Sequence, residues 1–260
     1  MKIAVCVEQV PDTETRVRVA PSGAAISEAD VQTWIVSPYD EFAIEEALRI
    51  KEAKGGEVVL VSVGPERAQQ ALRNGLAMGA DSALLVKDAA LDATDTLGTA
   101  RALSAAIRTL GAVDLVLCGQ QGVGGDHSQV PGMLAELLDL PQVTVAVKIE
   151  IADGQANVER EIEGARETWT TPLPAVISAQ KGLNEPRYAA LKGIMAAKKK
   201  PLTVVDLAGL GLDAAAVAPR VRITRLELPP PRPAVRMIEG DAAAQAQELV
   251  RVLHEEAKVI

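Results

Sequence analysis

The stretch "EVVLVSVGPERAQQALRNGLAMGADSALLVKD", residues 57–88, decides the fold that this sequence predicts. A short apolar run is followed by a segment with apolar residues at helical spacing and then by a second apolar run. A strand, a helix and a further strand in this order make a parallel pair. The same alternation recurs at "KIAVCVEQV" near the start and at "VDLVLCG" before a glycine-rich turn. We therefore predict an α/β fold with a doubly wound, mostly parallel sheet covered by helices on both faces.

The rhythm of the sequence changes after residue 142. "QVTVAVKIEI", "QANVEREIEG", "RETWTTP" and "LPAVISA" read as strands separated by turn residues, and we expect them to be antiparallel additions to the sheet. After Pro201 the chain becomes linker-like, and prolines at 229–231 and 233 predict a stiff extended arm. We divide the chain into an α/β domain at 1–200 and an arm with a final helix at 201–260.

The final segment, residues 240–257, predicts an amphipathic helix with Leu249, Val250 and Leu253 on one face. A frayed terminus is one interpretation. A stiff arm that ends in a one-sided helix is better suited to docking on a partner, and we favour that interpretation.

The composition excludes several classes of function. The formal charge of −8 argues against nucleic acid as a partner, and five aromatic residues are too few to hold a flavin ring alone.

Cys6 and Cys118 end apolar runs and are expected to be buried, reduced thiols. Two distant histidines give no zinc-like spacing, and apolar runs are of strand length. With Met1 and Lys2 leading directly into a strand, we expect a cytoplasmic protein that is not embedded in a membrane.

A glycine-rich turn stands in "CGQQGVGGDHSQVPGM", residues 118–133, between a strand and a helix that should begin near Ser128. Backbone N–H groups at a helix start bind phosphate, and Ser128 is a candidate cap. The turn lacks the P-loop and dinucleotide fingerprints, so a tight crossover remains an alternative. In a parallel sheet it would converge with Val7–Gln9, Ser37–Asp40 and Val63–Gly64 at the carboxyl edge, which predicts a nucleotide pocket.

No catalytic apparatus is visible in the sequence. It contains no nucleophile elbow, no Cys/His pair and no carboxylate cluster of magnesium type beside the glycine-rich turn. A nucleotide bound at this turn would therefore be structural rather than a substrate.

Several segments, in the right order, resemble one family. "LPAV", "LNEPRYAAL" and "MAAKKKPL", within Leu173 to Leu202, are similar to the signature of the electron-transfer flavoprotein β subunit (small subunit). "SPYDEFAIEEALRIKE", "GLAMGAD", "VDLVLCGQQ" and "VEREIEG" match further family segments, so that the resemblance covers nearly the whole chain.

This resemblance implies an adenine-nucleotide α-hydrolase-like fold and an αβ heterodimer that carries electrons from acyl-CoA and related dehydrogenases, as in fatty acid β-oxidation, to a membrane electron-transfer flavoprotein–quinone oxidoreductase. FAD would sit mainly on the α subunit, and the β subunit would border it and hold a structural AMP. By resemblance, the AMP contacts fall on Cys6, Ser37, Pro38, Tyr39, Asp40, Val63, Cys118, Gly119, Gln120, Gln121, Gly122, Val123, Gly124, Gly125, Asp126, His127, Ser128 and Gln129.

The resemblance also implies a loop at residues 183–195 that docks dehydrogenases. Leu191 would insert into a dehydrogenase pocket, whereas from spacing alone it would be an ordinary core leucine. Arg187 and Tyr188 would secure the base of the loop, and Lys198–Lys200 would be either a solvated helix end or a rim that attracts acidic partners. The implied docking residues are Leu183, Asn184, Glu185, Pro186, Arg187, Tyr188, Leu191 and Met195.

Two departures from the family pattern lie in the predicted pocket. Ser37 stands where the family commonly has Asn, which would alter one adenine or ribose hydrogen bond. Gly122–Asp126 replaces the usual acidic run, in the loop that would choose between AMP and a larger nucleotide. Two alternatives therefore stay open, a bifurcating flavoprotein subunit whose second FAD oxidises NADH and an ATP-using enzyme of the same α/β superfamily.

Overall fold

The computed structural model describes all 260 residues, Met1–Ile260. Its main element is a nine-stranded sheet, and a separate two-stranded sheet is formed by β2 (Gln9–Pro11) and β3 (Trp34–Val36). The strands of the main sheet are β1 (Lys2–Cys6), β4 (Glu57–Val63), β5 (Ser82–Val86), β6 (Leu115–Gly119), β7 (Gln142–Ala152), β8 (Gln155–Ile162), β9 (Ala165–Pro172), β10 (Ala175–Ala179) and β11 (Leu202–Val205).

Six α-helices accompany these strands. They are α1 (Pro38–Lys54), α2 (Ala68–Met78), α3 (Thr96–Thr109), α4 (Val130–Leu138), α5 (Leu191–Ala197) and α6 (Ala242–Arg251). Side chains of α1 and α2 pack into one buried apolar cluster, and side chains of α3 and α4 pack into a second cluster on the other face of the sheet. The predicted α/β class with helices on both faces is confirmed.

The order of the main sheet is β11-β5-β4-β1-β6-β10-β7-β8-β9, and its central strands are parallel. The chain winds from β1 through β4 and β5 towards one edge and later returns to place β6 on the other side of β1. From β1 the chain continues towards one edge of the sheet, and from β6 it continues towards the other edge, so the strand order reverses between β1 and β6. In open parallel sheets, ligands bind at such a reversal, outside the carboxyl ends of the strands.

The prediction of antiparallel additions is right for three strands and wrong for the fourth. β7, β8 and β9 form antiparallel pairs, whereas β10 is inserted between β6 and β7 and is parallel to both. All five residues of β10 are buried, as expected of a strand covered on both faces. A run of apolar residues cannot by itself reveal which neighbours a strand will take.

The segment between β2 and β3 contains one isolated β-bridge, between Val19 and Ile26. The first predicted strand is broken after Cys6, and Gln9–Pro11 pairs instead with β3. This break turns the chain over the carboxyl end of β1.

The chain divides into two compact units, Met1–Leu226 and Glu227–Ile260. The division comes later than the boundary drawn after residue 200, because Leu202–Val205 is the strand β11, which pairs with β5. In the second unit a proline-rich segment without regular structure precedes α6, whose first turn is capped by Asp241, and a π-type turn extends the helix over Val252–Glu256. No helix is long and apolar enough to cross a membrane.

Lys200 and Arg73 fasten α5 to α2 by reciprocal hydrogen bonds. The Lys200 ammonium donates to the carbonyl oxygens of Leu76 (2.9 Å) and Ala80 (2.5 Å) at the end of α2. The Arg73 guanidinium donates to the carbonyl oxygens of Ala197 (2.6 Å) and Lys200 (2.8 Å) at the end of α5. Leu76 and Ala197 lie in the last turns of α2 and α5, where carbonyls lack an intrahelical donor, and Ala80 and Lys200 follow just after these helices, so the two cations cap both helix ends. Of the three consecutive lysines, Lys198 and Lys199 are exposed and Lys200 is half-buried.

Replacing Lys200 should therefore destabilise the chain, and replacing Lys199 should not. Lys200→Met leaves two helix-end carbonyls without a donor, so we expect the free energy of unfolding to fall by about 1–3 kcal/mol. Lys199→Met, the matched control, should change it by no more than about 0.5 kcal/mol. Urea unfolding followed by circular dichroism measures both, and equal effects of the two substitutions would contradict the capping role.

Candidate functional site

Residues from the ends of three strands of the main sheet, and from the turn after β3 of the small sheet, meet at the carboxyl edge around the β1–β6 reversal. Cys6 ends β1, Val63 ends β4, Ser37 follows β3, and Cys118 and Gly119 end β6. Since Val5 pairs with Leu117, Cys6 and Cys118 are neighbours on adjacent strands, and both are free and buried. The structure thus brings the predicted nucleotide-contact residues to one edge. Their role in binding stays a prediction.

Asp40 joins three of the segments that form this edge. One carboxylate oxygen accepts the backbone amide of Glu8, just after β1, at 2.7 Å, and the other accepts the amide of Gly119, at the end of β6, at 2.9 Å. Asp40 itself lies in the first turn of α1, which Ser37 and Pro38 begin. The side chain is buried, so these two hydrogen bonds tie β1, β6 and α1 together where no water competes.

Burial raises the pKa of Asp40 to about 8, even though the two amides lower it; the nearby Glu8 charge adds to the increase. A carboxyl group with this pKa is mostly protonated at neutral pH. The site therefore carries less negative charge than its sequence indicates, which favours an anionic ligand at the same edge.

Close packing explains two glycines of the edge. A Cβ on Gly119 would lie 2.4 Å from Asp40 Oδ1, and a Cβ on Gly122 would lie 1.9 Å from Glu8 Oε2. Position 119 therefore requires glycine, because the backbone of Tyr39 also lies within 2.8 Å of such a Cβ, whereas at Gly122 a larger residue would displace the Glu8 carboxylate.

The glycine-rich loop from Gln121 to Ser128 presents most of its backbone amides without a partner in the chain. Within it only the amide of Asp126 donates to a backbone carbonyl, that of Gly122. Gly124, Asp126 and Ser128 have positive φ angles, so the loop turns sharply before α4. The predicted cap is wrong, because α4 begins at Val130 and Ser128 Oγ donates instead to Gln121 Oε1 at 2.7 Å.

The donors of this loop fit a nucleotide phosphate that is held by backbone amides. Residues 118–129 contain no Lys or Arg, so no side-chain cation would pair with the phosphate from this segment. The free backbone amides next to the first turn of the nine-residue helix α4 are the remaining donors, and such N–H groups carry a partial positive charge. These amides are therefore the donors that this loop offers to an anionic ligand.

A hydrogen-bond network at the base of the glycine-rich loop was not predicted from the sequence. Gln120 Oε1 accepts the hydroxyl of Ser178 at 2.5 Å and the amide of Val145 at 3.1 Å. Val145 has a φ of 63°, unusual for a β-branched residue, at the irregularity where β7 leaves β10 to pair with β8. The three residues are distant in sequence, and no local pattern links them.

The predicted docking residues form a separate cluster, with an exposed apolar tip. Leu191 is 77% exposed, and Ile194 and Met195 lie exposed beside it on α5. The alternative of a core leucine is therefore wrong. Tyr188 is 98% exposed and its side chain makes no hydrogen bond, so the expectation that it secures the loop base is also wrong.

Arg187 does hold the base of this segment, through two glutamates of α1. Its Nε donates to Glu45 Oε2 at 2.7 Å, and its backbone amide donates to the same oxygen. The guanidinium also donates to the exposed Glu52. The Glu45 side chain is only 4% exposed. Burial alone would raise the pKa of Glu45, but hydrogen bonds from Arg187 and Arg49 outweigh it and hold this pKa below its usual value.

Neither glutamate was predicted as a partner of the predicted docking segment, residues 183–195. Their spacing was a usable signal, because Glu45, Arg49 and Glu52 follow each other at helical intervals along one side of α1. Asn184 adds to the same contact, since its amide donates to the Phe42 carbonyl and to Glu46, both at 3.0 Å.

The fold and the edge define a doubly wound α/β protein with a glycine-rich loop at the strand-order reversal, the place where such sheets bind ligands. A family model described as "Electron transfer flavoprotein domain" matches residues 26–210. The chain is 42% identical to the electron transfer flavoprotein subunit beta of Bacillus subtilis over the full length of both chains. It is 39% identical to the protein of the same name from Syntrophomonas wolfei, with 100% of this chain and 98% of the relative covered.

A third relative is the caffeyl-CoA reductase-Etf complex subunit CarD of Acetobacterium woodii, 38% identical over 98% of both chains. These similarities agree with the resemblance read from the sequence motifs. The chain belongs to the electron transfer flavoprotein β-subunit family.

The raised pKa of Asp40 predicts how stability depends on pH. The unfolded chain loses the Asp40 proton near pH 4 and the folded chain near pH 8, so the contribution is fully present below about pH 4 and is lost as the pH rises through 8. Asp40→Asn cannot titrate. We expect the free energy of unfolding of the wild type, relative to this variant, to fall between pH 4 and 8 by up to about 1.4 kcal/mol per pH unit.

Urea unfolding of both proteins across this pH range measures the difference. The lost second acceptor oxygen of the variant adds only a constant offset. A difference that stays level, or that grows with pH, would show that Asp40 is ionised in the fold.

Proposed function

We propose that this chain is the β subunit of a heterodimeric electron transfer flavoprotein that binds AMP structurally, borders an FAD held mainly by the α subunit and docks acyl-CoA and related dehydrogenases. The electrons would pass on to a membrane quinone oxidoreductase. One observation carries the proposal. In a chain of this family, the loop with free backbone amides and the buried Asp40 lie together at the strand-order reversal.

In this proposal the chain's own residues bind and position, and the flavin supplies the electron-accepting chemistry. The free amides of Gln121–Ser128 and the first turn of α4 would hold the phosphate. Main-chain groups near Ser37–Asp40 and Val63 would face the adenosine. The chain offers no cluster of His, Cys, Asp and Glu suited to a metal ion, and the proposed role requires none.

The docking surface would be the apolar tip made by Leu191, Ile194 and Met195. Large exposed apolar side chains grouped on one short helix favour a protein contact over solvent. The exposed Lys192 lies on α5, and the exposed Lys198 and Lys199 follow its end, so their positive charge would attract an acidic rim on a dehydrogenase.

Chemical analysis of the nucleotide extracted from purified heterodimer tests the pocket assignment. Our proposal requires one AMP and one FAD per heterodimer. A second FAD in place of AMP would support a bifurcating subunit that oxidises NADH, a candidate favoured by the relative named as part of a caffeyl-CoA reductase-Etf complex. Exchangeable ATP with turnover would instead indicate an ATP-using enzyme.

The second unit generates a prediction about assembly. Deleting residues 229–260 removes a proline-rich arm whose Val235 and Met237 are at least 80% exposed, and a helix with exposed Leu249 and Val250. We propose that these apolar side chains are buried against the α subunit, so the deletion should weaken heterodimer affinity while the α/β unit stays folded. Titration of the truncated and full-length chains with the α subunit measures this, and equal affinities would show that the tail does not dock.

Leu191→Ala should weaken docking without affecting the fold. The side chain is largely exposed, so its apolar area would be buried only in the complex, and truncation should cost on the order of 2 kcal/mol, or about 30-fold in affinity. The measurement is electron transfer from a reduced acyl-CoA dehydrogenase at varied concentration, with melting temperature recorded in parallel. Tyr188→Ala tests whether the most exposed aromatic contributes as well. Unchanged transfer by the Leu191 variant would rule out this surface.

A further inference from the structure

Helix α1 touches both the candidate nucleotide pocket and the docking segment. Asp40 lies in its first turn at the pocket, and Glu45 and Glu46 lie about one and a half turns further along, beneath Arg187 and Asn184. We propose that α1 couples the two places, with Glu45 as a positioning residue, so that a nucleotide in the pocket sets how firmly the docking segment is held. This inference rests on the proposed function, which supplies the nucleotide and the docking role.

The pocket end of α1 is held by contacts that a nucleotide would reinforce. Asp40 accepts the amides of Glu8 and Gly119, and the Ser37 amide donates to the Glu8 carbonyl at 2.9 Å. Gly119 leads into the loop whose amides would hold the phosphate, and the Glu8 side chain lies against Gly122 of that loop. A ligand that orders this loop therefore stabilises the partners of Asp40, and through them the first turn of α1.

The docking end of α1 is held by buried polar contacts. Glu45 is nearly inaccessible and accepts three hydrogen bonds from Arg187, one from the backbone amide and two from the guanidinium. The Asn184 amide bonds the Phe42 carbonyl and Glu46. The segment thus depends on the position of this stretch of helix.

The helix between the two ends is rigid because its apolar face is packed. Ala43, Ile44, Ala47 and Leu48 are at most 2% exposed in the main core. Residues 40 and 45 are separated by about 7.5 Å along the axis, at 1.5 Å per residue. A tightly packed helix of this length moves as one body, so a change at Asp40 reaches Glu45.

A second connection runs through β10. The Gln120 amide, next to the glycine-rich loop, donates to the Ala179 carbonyl at 2.9 Å, and the chain continues from Ala179 into the docking segment. The segment is therefore tied to the pocket at its start and to α1 along its length.

The test is hydrogen exchange, read by mass spectrometry, on the heterodimer with its nucleotide bound and after the nucleotide has been removed. Removal should speed exchange in residues 183–195 between about 5- and 150-fold, the range typical of coupled sites. The hairpin at residues 155–172, remote in sequence from α1, serves as the internal reference.

Three variants separate positioning from general instability. In Glu45→Gln the segment should exchange fast with or without nucleotide, because Arg187 keeps only the exposed Glu52. Glu52→Gln, the matched control, should respond like the wild type, since exposed ion pairs contribute little. Arg187→Gln, whose side chain is partly exposed and outside the pocket, provides the same test if Glu45→Gln does not fold, and it should weaken AMP binding in calorimetry because coupling is reciprocal.

The outcomes distinguish this inference from the proposed function. If the heterodimer binds no nucleotide, both are overturned. If it binds one, and removal leaves exchange in residues 183–195 unchanged, only the coupling is wrong. A faster exchange on removal that Glu45→Gln abolishes and Glu52→Gln preserves would establish it.

Discussion

The two hydrogen bonds to Asp40 are the contacts on which the rest of this site depends. They bring the end of β1, the end of β6 and the start of α1 to one point at the strand-order reversal. The carboxyl group is buried, so its two bonds are strong and its pKa is high. Gly119 is required because any side chain there would displace Asp40. The hydrogen bond between Gly119 and Asp40 therefore fixes where the glycine-rich loop starts, and the same bond fixes the position of the first turn of α1.

Much of the fold could be predicted because its signals are local. Alternating apolar strands and amphipathic helices predicted the parallel sheet and the helices on both faces. The local sequence pattern did not predict which strands pair when these are distant in sequence. β10 has the pattern of any buried strand, and its place between β6 and β7 depends on how the preceding strands β7–β9 are arranged. Ser128 is not the cap because α4 begins two residues later, at Val130, so that Gln129 occupies the N-cap position.

The candidate site shows the same division between local and distant information. The strand ends that meet at the carboxyl edge follow from parallel topology, so Cys6, Val63 and Cys118 were placed correctly there. The network of Gln120, Ser178 and Val145 was not, since it depends on an irregularity in β7. Arg187 was expected at the loop base without its partners, and Tyr188 was misplaced because an aromatic side chain usually packs. The role of Lys200 became clear only from the helix ends that it caps.

The insertion of β10 has a consequence for how the chain is made. Ala175 pairs with Leu115 although the whole of β7–β9 lies between them in sequence, so the ribosome must release the hairpin strands before the centre of the sheet can close. Until then β6 and β7 each present an apolar edge with unpaired amides, the kind of surface on which nascent chains associate wrongly. A growing chain is thus most vulnerable between the synthesis of β6 and that of β10, and chaperone protection matters most in that interval.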